Sequence, residues 1–383
     1  MDNFNFFNPT RILFGQGQIA QLGNLIPAGE RILVTHGGGS ILSNGVLDQV
    51  KSALAGRSFN LFGGIQPNPL YETLMEAVKI VKKQRITFLL AVGGGSVVDG
   101  TKFIAAASRF KGQEPWDILA KGTPVESAVP LGVVLTLPAT GSESNGFAVV
   151  SRKSSQEKLP FFTELCYPRF SILDPAVTFS LPAKQVRNGI VDAFTHVMEQ
   201  YATYPADAPL QDRQAEGILL TLIEQGPHCL KGRNYRARAN LVWAATQALN
   251  GLIGCGVPQD WATHMIGHEL TAFYGLDHAE TLAIVMPSLL RSQMPKKKAK
   301  LAQFARRIWN IRATDDGAAA EKAIRQMEKF YHSIGMPTRL ADYGIDAREA
   351  ARKISERLFN RGTKLGEHGR IDHKVIRKVL LAC

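Results

Sequence analysis

Five residues in two parts of the chain are of types that bind divalent cations. Asp192 and His196 stand four apart in VDAFTHVMEQ, His264 and His268 repeat that interval in WATHMIGHEL, and His278 follows ten residues later in GLDHAE. A four-residue interval stacks two side chains on one helix face, pointing the same way. Either pair alone fits a polar core or a helix surface as well as a ligand pair. Four of the nine histidines fall in these segments, which weighs toward a metal. Imidazoles with one carboxylate suit Zn²⁺ or Fe²⁺ and not Ca²⁺, which takes mostly oxygen. A cation held this way polarises a carbonyl or stabilises an alkoxide.

A second set of residues could hold phosphate. The run RILVT leads into His36-Gly37-Gly38-Gly39-Ser40, and ITFLLAV leads into Gly93-Gly94-Gly95-Ser96. Glycine turns that open a helix let backbone N–H groups approach an anion, and the helix dipole favours it there. Neither cluster has the GxGxxG spacing, so a standard Rossmann fingerprint is absent and both could be plain tight turns. No Asp or Glu lies in 36–40, where an acidic residue would bond ribose hydroxyls and repel a 2′-phosphate. A metal site beside a dinucleotide site points to hydride transfer between an alcohol and a carbonyl.

The elements that must position these residues divide into two textures. The first half alternates strand-like and helix-like stretches, with strands expected at 31–35, 86–92 and 131–137, the βαβ pattern of a parallel sheet. After Asp174-Pro175 the β-branched runs thin out, and 189–201 and 211–224 carry apolar residues at helical spacing. Ser180-Leu181-Pro182 suits a junction, with Ser as N-cap and Pro in a first turn, and Gly275 suits a helix end. The expectation is an α/β cofactor-binding domain over 1–181 followed by an all-α metal- and substrate-binding domain over 182–383, in keeping with 383 residues exceeding one ordinary core.

Composition excludes several classes. Apolar residues are 45% and charged residues 20%, as in soluble globular proteins. No run of 18 apolar residues occurs and MDNFNFFNPTRILFG lacks the order of a signal peptide, so a cytoplasmic protein without a membrane partner is expected. Cys166, Cys229, Cys255 and Cys383 are scattered without a CxxC pair and read as reduced thiols. The net charge of +12 could suggest nucleic-acid binding. Residues 1–290 are balanced at 23 basic and 23 acidic, whereas 291–383 hold 22 and 10. In that part Lys300 and Arg306 alternate at helical spacing with Leu301, Phe304, Ala305 and Ile308, which reads as solvated faces of packed helices and not as a nucleic-acid surface.

The chain resembles the iron-containing (group III) alcohol dehydrogenase family over nearly its whole length, in the branch of bacterial NADPH-dependent aldehyde reductases and butanol dehydrogenases. The residues that carry the likeness are FNPTRILFG, GGGSVVDGTKF at 93–103, TLPATGSESN at 136–145, the Asp192/His196 pair, His264-x₃-His268-x₉-His278, and the stretch 243–272. The resemblance implies a dehydroquinate synthase-like fold, with a cleft between the two domains holding Zn²⁺ or Fe²⁺ on Asp192, His196, His264 and His278. It implies His268 beside the nicotinamide and the pyrophosphate on Gly94, Gly95 and Ser96. Asp99 would face the nicotinamide side, with Thr136, Thr140, Asn145 and Leu181 lining the rest. His268 and Asp99 are the candidate catalytic residues, and a homodimer is expected. NAD-using members carry an acidic residue at the position of Gly39. With Gly37, Gly38, Gly39 and Ser40 there and Lys158 as counter-charge, NADPH/NADP⁺ is expected over NADH. The chain departs from the family at LDHAE, where many members have proline before the histidine and glycine after it, and beyond about residue 290.

The expected reaction is reduction of small aldehydes to alcohols, with His268 or a water chain relaying the proton. Two rivals stand beside it. A dehydroquinate synthase-like lyase would need many basic groups for a phosphorylated acid, which the ligand segments do not supply; nucleic-acid binding rests on the basic tail alone. Phe147 is expected in the core, as most phenylalanines are.

Overall fold

A computed structural model describes all 383 residues. The strands are β1 (Arg11–Phe14), β2 (Ile32–His36), β3 (Phe59–Phe62), β4 (Phe88–Gly94), β5 (Leu131–Leu137), β6 (Phe147–Arg152), β7 (Glu157–Phe162) and β8 (Phe170–Leu173). Helices of eight residues or more are α1 (Val46–Ala53), α2 (Tyr71–Gln84), α3 (Gly95–Arg109), α4 (Ala183–Tyr201), α5 (Pro209–Cys229), α6 (Tyr235–Ala248), α7 (Ala262–Tyr274), α8 (His278–Ser292), α9 (Met294–Ile308), α10 (Asp316–Ser333), α11 (Ala347–Asn360) and α12 (His373–Leu381). The chain folds into two compact units. One comprises 7–182 with 233–246, the other 1–6, 183–232 and 247–383. The change at 182/183 lies one residue beyond the expected boundary, and each unit takes in a segment from the other side of it.

The α/β unit is built on a six-stranded sheet in the order β1-β8-β5-β4-β2-β3, parallel throughout. Parallel strands are covered on both faces, which is why β2, β4 and β5 are mostly apolar and almost wholly buried. Alternation sorts their side chains. Leu33, Leu89, Ala91 and Val133 face a core completed by α2 and α3, while Ile32, Val34, Leu90, Val92 and Val134 face one completed by α1. The strand expected from 86 begins at Phe88, because the Ile86 N–H closes the end of α2 on the Val81 carbonyl (3.0 Å) after Arg85 turns left-handed at φ 51°. The same strand runs on through Gly94, and α3 starts at once.

Two features lay outside the sequence reading. Phe147–Phe162 folds back as an antiparallel hairpin, β6 on β7. It leaves the Phe147 ring 48% exposed against Phe162, with ring centroids 4.7 Å apart, so Phe147 is a surface residue and not a core one. Residues 233–246, most of α6, pack with the sheet although the chain around them does not. Arg238 Nη1 donates to the Thr178 carbonyl (2.9 Å) and Thr246 Oγ1 to Glu143 Oε1 (2.6 Å).

The helical unit is organised around α4, buried at every residue from Asn188 to Tyr201. Its basic surplus corrects the expectation of solvated faces in part. Leu301, Phe304, Ala305 and Ile308 are buried and Arg306 is exposed, as expected, but Lys300 is buried and ion-paired to Asp212. Lys297 is also buried, with Asp260 at 2.7 Å and Glu367 at 2.9 Å. Arg291 reaches Glu321 and Glu328, and Arg357 and Arg361 share Glu269. Several of the basic residues in this part are thus internal partners of carboxylates and not solvated surface charges. No helix is long and apolar enough to cross a membrane.

Candidate metal centre and cofactor site

Three imidazoles converge on one carboxylate oxygen in the helical unit. From Asp192 Oδ1, Nε2 of His196 lies at 3.6 Å, Nε2 of His278 at 3.6 Å and Nε2 of His264 at 3.8 Å. These separations are too long for hydrogen bonds. They lie near the edge of a tetrahedron about a Zn²⁺-sized ion, roughly 3.3–3.6 Å for metal–ligand distances near 2.0–2.2 Å, with the His264 separation slightly longer. Donor atoms of Asp192, His196 and His264 all lie within 4.8 Å of one another. His264 Nε2 is buried without a hydrogen-bond partner, a position that a coordinated cation would satisfy.

Each side chain is placed by its element. Asp192 and His196 share a face of α4, as the spacing requires. His264 stands in the first turn of α7, which ends at Gly275 with φ 71°. His278 opens α8 directly after Asp277, whose carboxylate and Glu280 form a capping box. The rings of His196 and His264 stack at 4.6 Å between centroids. His268, buried next to them, has its ring 5.4 Å from His278 and 6.5 Å from His264 and is outside the converging set. Burial, opposed by Asp192, lowers His196 to about 4, so the ring is neutral at neutral pH and has one nitrogen lone pair to offer. For His264, burial pulls down but the Glu199 and Asp192 carboxylates outweigh it, raising the ring to about 9.

Glu199 was not among the residues singled out from sequence. Its carboxylate accepts from His264 Nδ1 and from the Thr263 N–H (2.5 Å). The signal was available: Asp192, His196 and Glu199 follow at i, i+4 and i+7 on one face of α4. Its partners, however, are more than sixty residues away.

In the α/β unit, the residues expected to hold the nucleotide gather at the carboxyl ends of neighbouring strands. Gly37–Ser40 leaves β2, Gly94–Ser96 leaves β4, and Thr136 and Thr140 lie at the end of β5, the three strands being adjacent. A parallel sheet places ligand crevices at these ends. A Cβ at Gly93 would fall 2.5 Å from Val97 Cγ2, and one at Gly95 2.4 Å from the Thr140 side chain. A Cβ at Gly37 would lie 3.6 Å from the same Val97 methyl, so the two turns adjoin. No side chain caps the first turn of α3, which leaves its N–H groups for an anion. Gly39 has φ 116°, a conformation closed to an ordinary acidic residue. Ser180, just before Leu181, meets the Gly39–Ser40 turn through Asn44 Nδ2 (3.0 Å).

Asp99, Asn145 and Lys158 belong to a buried polar cluster. Asp99 accepts from Ser142 Oγ (2.6 Å) and from the Val149 N–H (3.0 Å). Lys102, not among the residues expected in the site, is fully buried and donates to Ser142 Oγ (2.8 Å), Asn145 O (2.8 Å), Asn145 Oδ1 (3.1 Å) and Phe147 O (2.7 Å). Burial, partly offset by Asp99, lowers its amine to about 8, and burial raises Asp99 despite Lys102 and Ser142. Lys158 Nζ donates to Asn68 Oδ1 (2.8 Å) and adds a weaker pull on Asp99.

Both halves of the chain match known families. Residues 9–175 match the family described as iron-containing alcohol dehydrogenase, and 187–382 match its C-terminal family. The NADPH-dependent aldehyde reductase YqhD of Escherichia coli is 56% identical over 382 residues, 99% of each chain, and NADP-dependent alcohol dehydrogenase 3 of Entamoeba histolytica is 41% identical over 99% of this chain and 98% of its own. A crystal structure of the Escherichia coli protein superposes with a TM-score of 0.98 over 100% of this chain and 98% of that one. NADH-dependent butanol dehydrogenase A of Thermotoga maritima, 36% identical, does so with 0.95 over 99% and 98%. These likenesses favour neither the lyase nor the nucleic-acid reading. The chain belongs to the iron-containing alcohol dehydrogenase family.

Proposed function

We propose that this protein reduces small aldehydes to alcohols with NADPH, using one divalent cation held by Asp192, His196, His264 and His278. The observation that carries the reading is the convergence of three Nε2 atoms on Asp192 Oδ1 at 3.6–3.8 Å in a chain 56% identical to an NADPH-dependent aldehyde reductase. A Zn²⁺ or Fe²⁺ ion supplies Lewis acidity toward the carbonyl oxygen, and NADPH supplies the hydride. Asp192 and the three imidazoles fix where that oxygen sits and keep the position dry, all but His278 being at least nine-tenths buried. The aldehyde carbon gains hydride, its oxygen gains a proton, and NADP⁺ leaves. His268, buried beside His278, is assigned to the nicotinamide side and to relay of that proton.

In the α/β unit Gly94, Gly95 and Ser96 take the pyrophosphate on the first turn of α3. Thr136, Thr140, Asn145, Asp99 and Leu181 line the remainder. Gly37, Gly38, Gly39 and Ser40 leave room for the 2′-phosphate, with Lys158 as its counter-charge. We also propose a cytoplasmic homodimer, in keeping with four buried cysteines outside any disulfide and with exposed Phe7, Phe14, Phe162 and Leu165 on one unit.

The test is direct. Purified protein, after elemental analysis, is mixed with NADPH or NADH and short aldehydes, and loss of reduced-nicotinamide absorbance is followed. NADPH oxidation that stops in Asp192→Ala, with the fold retained, supports the reading. Full activity in metal-free protein sinks it.

A further inference from the structure

We infer that Glu199 is a positioning residue that fixes His264 in the tautomer able to bind the metal and supplies the charge that makes a divalent cation tolerable in this buried place. The inference rests on the metal reading above. Glu199 is 4% exposed, and each of its two carboxylate oxygens has one donor, the Thr263 N–H at 2.5 Å on Oε1 and His264 Nδ1 on Oε2. Thr263 and His264 sit in the first turn of α7, where backbone N–H groups lack helical partners. The N-cap residue of α7, Trp261, stands left-handed at φ 59° and offers no side-chain cap. Glu199 therefore caps α7 from another helix and binds the ligand that helix carries. Its own backbone carbonyl accepts the Asp260 N–H (2.9 Å), and Asp260 Oδ1 takes the Ala262 N–H (2.9 Å).

The tautomer follows from donor counting. A carboxylate only accepts, so its contact with Nδ1 requires Nδ1–H and leaves Nε2 with a bare lone pair facing Asp192. Second-shell carboxylates of this kind orient a ligating imidazole and raise its basicity. The charge follows from the donor set. One carboxylate and three neutral imidazoles around a divalent cation carry a net +1, and a lone buried charge is costly. Glu199 brings the group to neutrality. Lys297, a buried cation of the same unit, is taken by Asp260 and Glu367.

Glutamine at this position is nearly the same shape but cannot do both tasks. If its amide oxygen accepts from Thr263, its NH₂ meets His264 Nδ1, which must then accept, and the proton moves to Nε2, where it blocks the metal. If the amide is turned over, NH₂ opposes the Thr263 N–H and the helix loses its cap.

The experiment measures metal affinity and not turnover. Wild-type, Glu199→Gln and Glu199→Asp proteins are titrated with Zn²⁺ against a chromophoric chelator, and thermal unfolding of each metal-free protein is recorded alongside. The expected result is a 10- to 100-fold weaker Zn²⁺ dissociation constant in Glu199→Gln, with a metal-free melting temperature close to wild type, and a smaller loss in Glu199→Asp, which keeps the charge. Wild-type affinity within about twofold in Glu199→Gln overturns the inference, as does an equal loss in both variants that tracks the metal-free melting temperature, the mark of capping alone. Wild-type protein that takes up no Zn²⁺ overturns the metal reading itself, an outcome distinct from either.

Discussion

Replacing Lys102 with methionine should destabilise the α/β unit, and the loss should grow as the pH rises. The substitution removes a buried amine from four oxygens at 2.7–3.1 Å, on Ser142, Asn145 and Phe147. Removing one partner of a buried charge cluster costs about 3 kcal/mol or more at neutral pH, because the partners stay buried. The pH dependence comes from the amine itself. Burial lowers it from 10.5 to about 8 in the native protein. Between those values the unfolded chain holds a proton that the native protein has released, so stability rises with pH across the window and the gain is lost as pH falls through about 8. At 1.36 kcal/mol per pH unit, the interval is worth about 3 kcal/mol. Methionine cannot collect that gain. Urea unfolding of both proteins at fixed pH from 7 to 10 should therefore show their stability difference widening toward the alkaline end. A difference that stays flat, or one below about 1 kcal/mol at pH 7, would refute the assignment of Lys102 as a buried, strained cation.

Other substitutions probe the two sites separately. Gly95→Ala places a methyl 2.4 Å from the Thr140 side chain, so a loss of roughly 1–3 kcal/mol in unfolding free energy is expected, with weakened NADPH binding by fluorescence titration. Gly39→Asp puts an L-residue at φ 116° at a cost of roughly 1–2 kcal/mol, and should raise the KM for NADPH at least tenfold without delivering wild-type efficiency on NADH. Chelator-treated protein should lose turnover and regain it with Zn²⁺ or Fe²⁺. Its melting temperature should fall as well, since a ligand at 100 times its Kd stabilises the native state by about 2.7 kcal/mol.

The features legible in the sequence are those set by local spacing. Asp192 and His196 on one face of α4, Gly275 closing α7, and the strand at 131–137 all follow from helical periodicity, positive φ and a continuous apolar run. Glycine turns after β2 and β4 were equally readable. What was not legible depends on partners distant in the chain. Glu199 matters because Thr263 and His264 arrive from α7, and Lys102 is buried because the 142–147 loop folds over it. Lys297 and Lys300 share the helical spacing of solvated lysines, and only Asp212, Asp260 and Glu367 reveal them as internal charges. The hairpin carrying Phe147 and Lys158 is short and polar at its turn, too weak a signal beside the stronger βαβ pattern.

The chain passes from one compact unit to the other four times, at 6/7, 182/183, 232/233 and 246/247. It therefore cannot be cut at 182 into two self-sufficient halves. A fragment ending there would leave Glu143 with a buried carboxylate and no Thr246, and the Thr178 carbonyl without Arg238. Recombination between relatives meets the same constraint. A hybrid that takes its sheet from one parent must inherit 233–246 from that parent too, so the heritable module is discontinuous, and crossovers at the obvious junction should give proteins that fail before their chemistry can be compared.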